Sequence, residues 1–144
     1  MFEADAERTS PEEPTPQDTA DDPVLLEPLT PSRGSTVADA PGGTLSFAWR
    51  VDARALESAY AGRRLRTDFC LGIAGETHGC FIMLALPCDA NAALLSLDEI
   101  RLKLGPRFRR PARVVLRWSL MLALAAGGPL FTSRESDFVL VPKP

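Results

Sequence analysis

The chain has one histidine, His78, and only two lysines, Lys103 and Lys143, in 144 residues. A Ser-His-Asp or Cys-His catalytic site would have to use that histidine, together with an orienting group and an oxyanion site. No such set surrounds it in the sequence, so no catalytic residue is assigned and the chain reads as a non-enzyme. No phosphate loop is present either. Gly72 and Gly75 stand without the lysine and helix context of a Walker A loop, and no cofactor is expected. The first residues are acidic, unlike the basic start of a secretory leader. The longest apolar stretch, 114–131, holds Arg117 near its start and Gly127-Gly128-Pro129 near its end. A charge at mid-bilayer costs roughly 2.5 kcal/mol or more, so the stretch reads as core and not as a membrane span.

Cysteine is scarce and odd in number: Cys70, Cys80 and Cys88. Without a leader, reduced thiols in an intracellular, cytoplasmic setting are the expectation. A zinc site from Cys70, His78, Cys80 and Cys88 is disfavoured. Structural zinc pairs close ligands, and here two cysteines fall inside expected strands. A regular hairpin centred on Thr77 sets Ala74 opposite Cys80 and Cys70 opposite Leu84. In that register Cys70 and Cys80 are offset and no disulfide forms.

What is present divides the chain. Residues 1–41 hold seven of the 13 prolines and ten acids against Arg8 and Arg33, a net charge of −8. Residues 42–144 carry +5. The first segment shows no hydrophobic period. Its few apolar residues cannot offset ordering entropy of about 1–2 kcal/mol per residue, so 1–41 reads as a disordered acidic tail. One apolar island, Val24-Leu25-Leu26 with Leu29, is either a docking motif or a strap lying on the domain.

Residues 42–144 read as one mainly β domain. Leu45, Phe47, Trp49 and Val51 alternate as a half-buried strand. Asp52 caps a short helix carrying Leu56 and Tyr60 one turn apart. Residues 68–74 alternate again, and 80–86 are apolar on both faces up to Pro87, which fits a central strand covered on both sides. Residues 90–96 form a connection of helical character. Ile100, Leu102 and Leu104 alternate with Glu99, Arg101 and Lys103, which predicts a strand. Residues 112–126 fit either a helix or a long strand, and their alternation favours the strand. Residues 138–141 close the series. Six strands with turn signals between them predict an antiparallel β-sandwich with one short helix.

The segment from Phe47 to Leu56 resembles the opening of a MATH (TRAF-like) domain, where a tryptophan-bearing strand runs into a loop ending in leucine. Cys80 to Pro87, Ile100 to Leu104 and Arg113 to Leu120 are similar to later strands of that family. The resemblance spans about residues 45–141 and implies an antiparallel sandwich that binds a protein or peptide partner without catalysis. It assigns no binding residue.

Arginine is the unusual abundance. The domain has 12, with Arg63, Arg64 and Arg66 in one cluster and Arg107, Arg109, Arg110 and Arg113 in another. Guanidinium forks suit phosphates and carboxylates, so these seven are the candidate site for an anionic partner. The clusters lack interleaved aromatics apart from Phe108, and the sequence pI is about 5.2, which argues against nucleic acid. The leading expectation is a protein-interaction module. The alternatives are a small accessory subunit of a larger assembly and a binder of an anionic partner.

Overall fold

The computed structural model describes residues 24–76, 79–106 and 113–142. Nine strands and two helices are present among them: β1 (Leu26–Thr30), β2 (Ser35–Asp39), β3 (Thr44–Val51), α1 (Ala53–Tyr60), β4 (Leu65–Ile73), β5 (Cys80–Pro87), β6 (Ala92–Ser96), α2 (Leu97–Leu104), β7 (Val114–Leu124), β8 (Pro129–Thr132) and β9 (Ser136–Pro142). The large sheet runs β2-β9-β7-β4-β5, with β8 also paired to β7. The small sheet runs β1-β3-β6. Every described pairing is antiparallel except that of β2 with β9, which is parallel.

The mainly β reading is correct, and the long apolar segment is a strand. In β7, Val114, Leu116, Trp118, Leu120 and Leu122 are all buried, while the residues between them point to the outer face. A period of two with both edges paired fits a central strand. The two sheets share one core. The Phe47 ring of β3 meets Phe69 of β4 at 4.8 Å and Trp118 of β7 at 5.3 Å, both edge-on. Such aromatic pairs add about 0.5–1.5 kcal/mol each beyond area burial. Both indole N–H groups are satisfied: Trp49 Nε1 donates to the Ala90 carbonyl and Trp118 Nε1 to the Pro31 carbonyl.

Four expectations need correction. Residues 26–30 and 35–39 are strands of the two sheets and not part of a tail. Leu25 and Leu26 are buried, so the apolar island is a strap, and the folded unit begins upstream of residue 42. Residues 1–23 lie outside the described residues. Residues 92–96 form strand β6, because β3 supplies a ladder partner.

The expected strand at 100–104 is instead helix α2. Ser96 accepts from the Glu99 N–H, as in a capping box. Leu97, Ile100, Arg101 and Leu104 are buried at helical spacing, and Leu102 is 80% exposed. Asp98 and Glu99 sit at the positive end of the helix, Arg101 and Lys103 at the negative end.

The cysteines are the fourth. Cys70 and Cys80 are joined in a disulfide, and Cys88 is free. The hairpin is not regular: Cys70 faces Met83, Gly72 faces Cys80, and the register shifts between Leu71 and Gly72. The extra residue on β5 puts Cys80 and Met83 on the same outer face although they are three apart. Cys70 and Cys80 become diagonal neighbours with Cα atoms 5.4 Å apart, within the normal range for a bridge. The residue at 72 must be glycine, because a Cβ there would lie 2.8 Å from the Gly79 carbonyl oxygen.

Candidate functional site: an open sheet edge and a neighbouring cleft

A sheet edge presents unpaired N–H and C=O groups, and proteins usually blunt it with charge, proline or short length. Among the described residues, four of the five edge strands are blunted. β2 has five residues. β1 has five and contains Glu27 and Pro28. β6 has five residues. β8 has four residues and starts at Pro129. The fifth edge, β5, has eight residues and no charge, with a proline only at its end. Among the described residues it pairs with β4 alone. Ile82 is buried in the core, while Met83 stands 62% exposed on the outer face. Thioether side chains adapt to varied surfaces, which suits an exposed contact point. Helix α2 comes close to both β5 and β6, and its buried residues belong to the shared core.

Just past Pro87 the chain enters a cleft of about 230 Å³ between α1 and the start of β4. Its floor is apolar, with Leu56, Tyr60, Leu65 and the thiol-bearing Cys88. Arg63, Glu57 and Asp89 form the rim. The cleft exists because the Asp52 side chain caps α1, accepting from the Ala55 N–H at 3.0 Å, and turns its Leu56 face toward the core.

The outer face of the large sheet carries ion pairs beside the disulfide. Arg117 donates through Nε to Asp137 Oδ1 at 2.8 Å and through Nη2 to Oδ2 at 3.2 Å. This fork holds the Asp137 carboxyl below the usual carboxylate range and pushes the guanidinium further up. Glu27 is likewise lowered, first by its hydrogen bond from Arg50.

The expected arginine site is divided by the structure. Arg63 and Arg64 are exposed on the turn after α1. Arg66 points elsewhere: it donates to Asp68 at 2.9 Å and to the carbonyls of Leu124 and Ala125. It therefore ties β4 to the end of β7 and belongs to the fold's framework. Arg113 is exposed just before β7. Arg107, Arg109 and Arg110 lie outside the described residues, as does His78. The Cys80 sulfur is taken up by the disulfide, which removes it as a free nucleophile in this state. Among the described residues, no group of three His, Cys, Asp or Glu stands together as a metal site, and no helix is long and apolar enough to cross a membrane. Neither a family model nor a curated protein matches the chain.

The reading from residues alone missed the β5 edge. It identified the strand but took its two-sided apolar character as a sign of a central position. An edge strand and a central strand can share that composition, and only the pairing distinguishes them.

Proposed function

We propose that this chain is a non-catalytic interaction module that receives an extended peptide or partner strand on the free edge of β5. The supporting observation is the edge itself: eight residues, uncharged, and the longest of the five edge strands among the described residues. Strand addition draws affinity from main-chain hydrogen bonds and specificity from pockets for alternate side chains. The adjacent cleft, with its apolar floor and mixed-charge rim, offers such a pocket at the Pro87 end. A partner of alternating apolar residues fits this surface better than nucleic acid does. The MATH-like affiliation is part of the same proposal. Trp49 in β3 and Pro87 closing β5 support it, while the parallel β2–β9 pair departs from the antiparallel layout that the resemblance implies. An intracellular setting is likewise proposed.

The test is selection of displayed 12-residue peptides on the full chain, repeated on a Met83→Lys/Ala85→Lys variant. Both side chains are exposed, so the fold should tolerate the change, and lysine is a natural edge blocker. The expected result is a set of binders with alternating apolar residues whose affinity falls at least tenfold on the variant. Binders that hold both proteins equally would place the site elsewhere.

A further inference from the structure

All three cysteines belong to the β4–β5 hairpin or its exit, and the two joined ones anchor the edge strand that the proposed function uses. Among the described residues β5 has a single neighbour strand, so its attachment rests on one ladder, its inward side chains and this bridge. The bridge sits where the ladder is weakest, beside the register shift between Leu71 and Gly72. Beyond it lie Gly75 and Gly79, both at positive φ. Both cysteines are half-buried rather than enclosed. Cys70 lines a hollow of about 80 Å³ with Arg117, Ser119 and Glu135. Cys80 lines another of about 100 Å³ with Glu76 and Phe81. Each half of the bridge thus borders an open hollow rather than closed core. In a reducing compartment, disulfides are usually transient or redox-sensing.

We propose that the Cys70–Cys80 bond is a thiol-reversible clamp that holds β5 in register on β4 and so controls when the sheet edge is presented to a partner. This rests on the edge-binding reading for its role but not for its physics. The reaction is ordinary exchange with a dithiol reductant. One thiolate of the dithiol attacks a bridge sulfur, and the other cysteine leaves as a thiolate. The second thiol of the reductant then closes on the mixed disulfide and frees the first cysteine. Two electrons and two protons pass to the bridge, and the dithiol becomes a cyclic disulfide. With the bond open, the bulged end of β5 is held only by its ladder and its inward side chains, and it frays.

The experiment is amide hydrogen exchange on the full chain with Cys88→Ala, which leaves the bridge as the one thiol system. It is run oxidised, after dithiothreitol, and after reoxidation. Comparing residues 82–86 of β5 with residues 116–120 of β7 cancels any change in global stability. The clamp requires the β5-to-β7 ratio of exchange rates to rise at least tenfold on reduction and to return on reoxidation. An unchanged ratio, whether both strands speed up together or neither does, overturns it. A bridge that dithiothreitol leaves intact under native conditions overturns it as well. No partner is needed, so this result and the peptide selection can fail separately.

Discussion

The most consequential single contact is buried and ionic. Arg101 of α2 donates through Nε to Asp39 of β2 at 2.6 Å, and both side chains are almost fully enclosed. Removing one member of such a pair leaves a buried charge, which costs about 3–5 kcal/mol. Arg101→Ala should therefore lower the urea midpoint sharply, whereas Arg117→Ala, whose pair with Asp137 is over a third exposed, should cost under about 1 kcal/mol. Equal losses in the two variants would contradict this ranking. The sequence hid the pair. Asp39 counts among the acids of an apparently solvated segment, and Arg101 falls on the polar side of a false alternation. At the other extreme, Thr67 Oγ1 is enclosed without a hydrogen-bond partner among the described residues, an arrangement that usually costs about 1–3 kcal/mol.

Among the elements, those with a strong period were readable and those fixed by a partner were not. β3 and β7 alternate over eight and 11 residues, and one face of each is buried up to its last residue. α1 was readable from Asp52 and the Leu56–Tyr60 spacing. α2 was misread because Ile100, Leu102 and Leu104 imitate a strand, although Ser96-Leu97-Asp98-Glu99 carries the signature of a helix start. Ser96→Ala should cost about 1 kcal/mol in thermal or urea unfolding, the usual worth of such a cap. No change would mean that packing of Ile100 and Leu104 alone fixes the helix. β6 is short, and nothing in residues 92–96 favours a strand until β3 lies beside them. The disulfide was unreadable for a similar reason: it depends on a bulge that shifts the register by one residue.

At the level of the whole molecule, the composition break at residue 41 is real but is not a structural border. Charge and proline change there, yet the chain is already in both sheets. β1 pairs with β3, and β2 pairs with β9. A chain starting at residue 42 loses both strands, the buried Leu25 and Leu26, and the Asp39 partner of Arg101. It should lack a cooperative thermal transition, whereas a chain starting at residue 24 should keep most of the full-length melting temperature. Equal melting of the two would return β1 and β2 to the status of an appendage. The candidate site was visible only as a composition. The apolar run of β5 was plain, but the long-range pairings that leave it on an edge were not.

The parallel pair has a consequence for the order of events during synthesis. β9 is the last strand described, yet it lies between β2 and β7 inside the large sheet. A ribosome releases β2 about a hundred residues before its neighbour exists. Until β9 emerges, the nascent chain holds an orphan strand at one side of the growing sheet and the bare flank of β7 beside it. Pairings so distant in sequence form slowly and leave strand flanks open to other chains in the meantime. Residues 136–142 therefore decide whether the sheet closes.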